Sequence, residues 1–473
     1  MGEASTIAAI ATPRGAGGIG IVRISGPEAK AFLSQVFLPF SEHFENFSPW
    51  QMHRGKVLDS HGEPFDDVLA VFMPGPRTYT GEDMAEIHCH GGPFIVQSVL
   101  EGLLRLGARQ AERGEFTRRA FVNGRMDLSQ AEAVAELVAA PSREAVRYSL
   151  NRLDGLLAKK VLALRDELDS MRLRVSLAVD FPDEETPEFG TQEFALAVQS
   201  IQESMRQLLA GKKRARIMQE GACVVLAGAV NAGKSSLLNA LLGRERALVT
   251  HIPGTTRDFL EESCELAGLP AVLVDTAGLR RLDAAQGETG VEAMGIALSR
   301  EKLGAADCVL LVVDGGVLGE AGAASPTCPD EAGRQVLESV GETPLIVVWN
   351  KSDLCFPGHF PPAWAEGRPC CSVCARSGEN VDALARTVAD LLLDEADGAP
   401  PVDGLAPNAR QALALEGALE ELQALLADIL AGVTYDCLAV RLDTVAARLG
   451  EVTGISSPDE VLDRIFSGFC IGK

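Results

Sequence analysis

The spacing of apolar and polar positions changes twice along the chain. Near the start, Thr6-Ile7-Ala8-Ala9-Ile10-Ala11 and Ile19-Gly20-Ile21-Val22-Arg23-Ile24 flank the turn Pro13-Arg14-Gly15-Ala16-Gly17-Gly18. Two β-rich runs around a Pro/Gly cluster predict a hairpin. Glu28 to Val36 reads as a short helix and Asp67 to Phe72 as another strand. Pro93 to Leu106 reads as a helix with proline in its first turn, where the missing N–H costs nothing. Residues 1–120 therefore predict an α+β domain.

From Asp127 the period becomes helical. Ser129 to Glu132 has capping-box spacing, apolar residues follow at Ala131, Val134, Leu137 and Val138, and Pro141 ends the pattern. Helical runs resume through Leu150, Leu157, Leu164, Leu168, Met171 and Val175, and again from Phe194 to Ala210. The acidic, Pro-containing Asp180 to Glu188 predicts a loop, and the basic run Lys212 to Arg216 a solvated junction. Between Gly221 and Ala396 short apolar runs alternate with helical ones. The strand candidates are Ala222 to Ala227, Ala271 to Val274, Cys308 to Val313, Leu345 to Trp349 and Cys370 to Cys374. That alternation predicts a mostly parallel sheet covered on both faces. Gly316 to Glu331 reads as a surface insertion and Asp394 to Pro407 as a linker. Asn408 to Leu430, Tyr435 to Leu449 and a short helix over Val461 to Phe466 close the pattern, with Ser457-Pro458-Asp459-Glu460 as the last start signal.

The chemistry concentrates in the alternating region. Gly228-Ala229-Val230-Asn231-Ala232-Gly233-Lys234-Ser235 is G-x-x-x-x-G-K-S between a strand and a helix, the context of a phosphate-cradling loop. Its glycines let backbone N–H groups face phosphates at a helix N-terminus. Lys234 would reach the β- and γ-phosphates, and the Ser235 hydroxyl would bind Mg²⁺. Asp275-Thr276-Ala277-Gly278 follows a strand, so Asp275 can hold Mg²⁺ through water and Gly278 can meet the γ-phosphate. In Gly254-Thr255-Thr256, Thr256 is placed to complete the Mg²⁺ shell. In Asn350-Lys351-Ser352-Asp353, Asp353 can accept from the N1–H and 2-amino group of guanine; adenine offers neither, so GTP is selected. Leu279 follows Gly278 where Ras-like GTPases carry a water-orienting Gln. Either water is activated otherwise or hydrolysis is very slow; the Asn231 side-chain carbonyl could hold a monovalent cation beside the phosphates.

Three features outside this region have two readings each. His88 and His90 would share one face of a strand around Cys89, but no second cluster has zinc spacing; a strand end before the Gly91-Gly92 turn is the simpler account. Arg109, Arg113, Arg118, Arg119 and Arg125 make the most basic stretch of the N-terminal half, either a solvated face or a functional one: an anion site, or a docking patch for RNA or a partner. Cys470 is either an inert thiol or a reactive one.

The chain of 473 residues carries a formal charge of −23 and is 47% hydrophobic. Its size allows two to four domains, and its acidity argues against wrapping nucleic acid by bulk charge. The 11 cysteines have no regular spacing and the start lacks a leader pattern, so free thiols and a cytoplasmic location are expected. No apolar run approaches the ~20 residues of a membrane span.

Four stretches carry a resemblance over nearly the whole length: Thr6 to Gly26, Tyr79 to Gly92, Gly114 to Ala133 and Cys470-Ile471-Gly472-Lys473. With a GTPase-type region placed after helices, the chain resembles the MnmE (TrmE) family of tRNA-modifying GTPases. The resemblance implies a multidomain α/β chain. It has a tetrahydrofolate-binding, dimerising α+β domain over 1–122, a helical domain from 123–215 and 397–473, and a Ras-like P-loop GTPase domain inserted over 216–396. It implies K⁺-activated GTP hydrolysis and pairing with the flavoprotein MnmG in a heterotetramer. The expected product carries an aminomethyl or carboxymethylaminomethyl group on C5 of the wobble uridine of tRNA. The carbon donor would be a 5,10-methylene tetrahydrofolate, with the 5-formyl form as a second ligand.

Carried over by residue, Asn231, Thr250, Ile252 and Thr255 match K⁺ ligands, Ser235 and Thr256 Mg²⁺ ligands, and Glu292 the water-positioning glutamate. The nucleotide would also meet Ala232, Gly233, Ser236, His251, Pro253, Gly254, Thr276, Ala277 and Lys351, together with Cys374-Ala375-Arg376 at the guanine. Arg23, Glu82, Arg125 and Lys473 fall on folate positions, with Cys470 nearby. Three departures stand out: Arg125 where Lys is frequent, Val230 for the usual Pro, and Cys374 where Ser usually stands. Two other readings are a ribosome-assembly GTPase that only binds RNA and a regulatory switch without useful hydrolysis.

Overall fold

The structure, a computed structural model, describes residues 5–59, 62–180, 191–244, 261–275, 304–318, 331–354, 363–365, 367–394, 405–456 and 458–473. They form two compact units, residues 1–135 with 447–473, and residues 136–446.

The first unit is built on a seven-stranded sheet: β1 (Ile7–Ile10), β2 (Ile19–Ser25), β3 (Phe37–Pro39), β4 (His53–Leu58), β5 (Pro64–Met73), β6 (Met84–His90) and β7 (Arg109–Gln110), in the order β3-β4-β5-β6-β2-β1-β7. The predicted hairpin is β1 against β2, with Ile7 opposite Ser25. Alternation on β2 sends Val22 and Ile24 into a core with Phe32, Leu33, Leu100 and Leu103 from the helices Ala29–Val36 and Pro93–Arg105, leaving Arg23 and Ser25 on the other face. The segment after Asp459–Ser467 returns to this sheet. Ile471 bridges Arg113, and a Cβ on Gly472 would meet the Ile10 carbonyl at 2.4 Å. With φ at 92°, only glycine passes there without strain.

The capping box expected at Ser129 and Glu132 lies two residues earlier. The Asp127 carboxylate accepts from the Gln130 N–H at 2.9 Å, and the Gln130 side chain accepts from the Asp127 N–H at 3.0 Å. Starting the helix at Leu128 buries Leu128 and Ala131 against Phe466 and Phe469, so core packing sets the boundary. Of the basic stretch, Arg109 begins β7 and pairs with Glu115, while Arg118, on the helix Glu115–Val122, pairs with Asp463 of the helix Asp459–Ser467.

The second unit holds the alternating region and most of the helices. Its six-stranded sheet comprises β8 (Ala222–Ala227), β9 (Glu261–Leu266), β10 (Leu269–Asp275), β11 (Cys308–Asp314), β12 (Leu345–Asn350) and β13 (Cys370–Ser372), ordered β13-β12-β11-β8-β10-β9. All pairings are parallel except β9 with β10. Buried clusters cover both faces, as the runs of apolar residues require. The basic run at 212–216 is helical, Lys212–Glu220, not a solvated junction. Lys212 reaches Glu416 at 2.7 Å on the helix Ala409–Leu430, and Arg216 pairs with Asp307 just before β11. Asp307 also accepts from the Cys223 N–H at 2.9 Å, so the entry helix is tied to the back of the sheet.

Candidate functional site

Three of the predicted motifs converge at the carboxyl ends of β8, β10 and β12, where open α/β sheets take ligands. β8 runs into the loop 228–233 and then the helix Lys234–Arg244. The loop turns through left-handed conformations at Gly228 (φ 140°), Asn231 (φ 67°) and Gly233 (φ 93°). A Cβ on Gly228 would lie 2.2 Å from the Val312 carbonyl, and one on Gly233 2.2 Å from Asn350 Nδ2. Both glycines are therefore required by packing as well as by φ.

Lys234 is 6% exposed and Asp275, ending β10, is 6% exposed. The Lys234 ammonium donates to the Gly228 carbonyl at 3.0 Å and to the Ala229 carbonyl at 2.7 Å, folded under its own loop. The Ser235 hydroxyl donates to Asp275 Oδ2 at 2.7 Å. A hydroxyl and a carboxylate meeting at one point form the hard-oxygen donor set that Mg²⁺ takes, so these residues fit that ion. Asn231 in the loop and Ser236 in the first turn of the helix are both exposed.

Asn350, 2% exposed, joins two motifs. Its Nδ2 donates to the Ala232 carbonyl at 3.0 Å, and its Oδ1 accepts from the Ala375 N–H at 3.1 Å. Lys351 meets Asp314 at 2.5 Å at the end of β11, a partner that the sequence motifs did not identify. Asp353 is exposed and accepts from the Cys374 thiol at 3.1 Å; Arg376 follows in the same turn. Thr250, His251, Ile252, Pro253, Gly254, Thr255, Thr256, Thr276, Ala277, Gly278 and Glu292 lie outside the described residues.

A second constellation stands on the outer face of β2. The Arg23 Nε donates to Glu86 at 2.9 Å, its Nη1 to the Gly472 carbonyl at 3.3 Å, and its guanidinium carbon lies 5.9 Å from the Tyr79 ring centre and 5.8 Å from that of Phe116. Two residues on, Ser25 donates to Glu82 at 2.7 Å, and Arg119 reaches the same carboxylate at 3.0 Å. Arg125 Nε donates to the Thr78 carbonyl at 3.1 Å, and the Thr78 hydroxyl to the Glu82 carbonyl at 2.6 Å. Arg23, Glu82 and Arg125 thus meet at the loop 78–82, and Lys473 lies near Arg23. Burial, and then Arg23, push the Lys473 ammonium below its ordinary range. Burial likewise raises the Tyr79 hydroxyl, while Thr117 and Arg23 oppose it. Paired cationic groups beside a carboxylate and an aromatic ring suit a pterin carrying a carboxylate tail.

The two histidines are engaged separately. His88 Nε2 lies 3.1 Å from Glu86, and His90 Nδ1 lies 2.6 Å from Asp66. Cys89 points to the opposite face, where burial drives its thiol up to about 11. The Ser25 and Glu86 contributions were missed in the sequence, and Arg119 was read only as one member of the basic stretch. The period-two pattern of β2 could have placed Ser25 beside Arg23, but the long-range partners leave no local signal.

Comparison with known proteins adds the family. The model described as GTP-binding protein TrmE N-terminus matches residues 6–125, and the MnmE helical domain matches residues 128–470. The tRNA modification GTPase MnmE of Nitratidesulfovibrio vulgaris is 50% identical over 476 residues, covering 100% of both chains. The same-named protein of Lawsonia intracellularis is 45% identical over 474 residues and 99% of both chains, and that of Chloroflexus aurantiacus 41% identical over 471 residues and 99% of both chains. Matches of this extent over both units, on a chain with this phosphate loop, place it: the chain belongs to the MnmE (TrmE) family of tRNA modification GTPases.

Proposed function

We propose that the chain hydrolyses GTP in the service of tRNA modification, with the nucleotide at the ends of β8, β10 and β12. The observation that carries this reading is the Lys234–Gly228 and Ser235–Asp275 geometry at one strand-to-helix turn. Lys234 swings from the loop carbonyls to the β- and γ-phosphates, and Asp353 reads the guanine edge. Ser235, Thr256 and, through water, Asp275 hold Mg²⁺, which when bound spreads the charge developing on the transferred phosphate. Asn231, with Thr250, Ile252 and Thr255, would hold K⁺, which would supply positive charge beside the phosphates, and Glu292 would position water.

The finer assignment follows the family resemblance. Two copies pair through the N-terminal domain, and MnmG joins them to place the aminomethyl or carboxymethylaminomethyl group on C5 of uridine 34 in the cytoplasm. Arg23, Glu82, Arg125 and Lys473 hold the tetrahydrofolate donor. The acidic net charge of −23 leaves much of the tRNA surface to the partner. Among the described residues no helix is long and apolar enough to cross a membrane.

Two experiments test the reading. GTP hydrolysis is compared in KCl and NaCl at equal ionic strength. K⁺ is expected to accelerate turnover about tenfold or more, worth ~1.4 kcal/mol of transition-state stabilisation, and Asn231→Ala to abolish the difference. Equal rates in the two salts would remove the cation-assisted mechanism. In the second, Cys470→Ser should leave GTP hydrolysis unchanged and lower tRNA modification about 100-fold, the scale of a lost nucleophile or proton donor. Modification at the parent rate would make Cys470 an inert thiol.

A further inference from the structure

The outer face of β2 holds a line of groups that the folate assignment does not use. Glu86 lies directly opposite Arg23 in the β2–β6 ladder, and His88 opposite Ile21. His88 Nε2 contacts Glu86 Oε2 at 3.1 Å, while Glu86 Oε1 accepts from Arg23 Nε and lies 2.9 Å from Nη2. That two-nitrogen grip leaves Nη1 of the planar fork aimed at Gly472. Glu86 is the carboxylate this arrangement needs. Its carboxyl is held below its ordinary range chiefly by the His88 hydrogen bond, with Arg23 adding to it against the effect of burial. It also offsets a repulsion, because Arg23 and Lys473 are near enough for Arg23 to depress the Lys473 ammonium.

We infer that Glu86 and His88 are positioning residues: His88 orients Glu86, Glu86 fixes Arg23 between Tyr79 and Phe116, and Arg23 clamps the Cys470–Lys473 segment over β2 through the Gly472 carbonyl. Among the hydrogen bonds and ion pairs of the described residues, neither residue reaches the segment itself. The functional weight of the clamp rests on the proposed one-carbon site, since the segment carries Cys470 and Lys473. Without Glu86 the guanidinium can turn off the carbonyl, and Arg23 and Lys473 then lose the carboxylate that Arg23 holds.

The test is hydrogen exchange of the full chain without folate, comparing amides 469–473 with the ladder amides 21–25 and 84–88. In Glu86→Ala the 469–473 amides should exchange about tenfold faster, the effect of losing one charge-assisted hydrogen bond. In His88→Gln and in Glu86→Gln, which keeps an acceptor oxygen, the gain should be about threefold, with the ladder unchanged in all three. Unchanged exchange at 469–473 overturns the inference, and so does equal acceleration of the ladder, which would make Glu86 a structural residue of the sheet. Binding of 5-formyltetrahydrofolate to the same variants separates the two readings. A loosened segment with undiminished folate affinity keeps the clamp and shows that folate binding does not depend on it.

Discussion

Asp353→Asn should lower kcat/KM for GTP by about 10⁴-fold, the discrimination reached when a site built to hydrogen-bond one group meets its absence. The same change should raise activity with xanthosine triphosphate. Guanine presents two donors, N1–H and the 2-amino group, which one carboxylate accepts together. An asparagine amide turns one of those acceptors into a donor, leaving the 2-amino group facing an N–H. Xanthine carries oxygen at that carbon and restores the match. The scaffold around position 353 is stiff enough for the swap to stay local. Asn350 is fastened to the Ala232 carbonyl and the Ala375 N–H, and Lys351 to Asp314. Cys374 donates to Asp353 from a buried position, and its thiol also accepts weakly, so an amide there keeps a partner. Steady-state kinetics with both nucleotides decide the matter. Retention of the parent GTP preference would show that the base is read elsewhere.

Much of this site was visible in the chain itself because its signals are local. The G-x-x-x-x-G-K-S loop, Asp275 and Asn350 each follow an apolar run, and β8, β10 and β12 stand where those runs were read, within two residues at each end. Other elements were hidden for identifiable reasons. β9 is Glu261-Glu-Ser-Cys-Glu-Leu, and only Cys264 and Leu266 among its described side chains are buried, so its alternation is too short to stand out against three glutamates. The Lys212–Glu220 helix looked like a linker because its charges are satisfied by Glu416 and Asp307, far away in sequence. The clamp on Gly472 spans 449 positions from Arg23, a pairing that no periodicity can reveal. Local period predicts elements and their motifs, whereas ion pairs closed by the tertiary fold leave no trace in a window of sequence.

Lys234→Ala is expected to reduce GTP turnover about 10³-fold, the cost of removing one preorganised donor from a phosphoryl or oxyanion transition state. GTP affinity should fall much less, since the loop N–H groups and the guanine contacts remain. The structure gives a reason why no other residue substitutes. The ammonium is buried beneath the loop, on the Gly228 and Ala229 carbonyls. It can leave them for phosphate oxygens through a change of its own rotamers, at little cost to the backbone. Lys234→Arg should not restore turnover. The planar guanidinium needs more room than the loop leaves, because Gly228 and Gly233 already touch Val312 and Asn350 with no space even for a methyl group. Lys234→Met keeps an apolar stem and removes the ammonium with its two hydrogen bonds, so its turnover should match Lys234→Ala. Single-turnover hydrolysis with bound nucleotide measures the chemical step directly. A rate for Lys234→Met within tenfold of the parent would mean that the ammonium is a brace for the loop and takes no part in phosphoryl transfer.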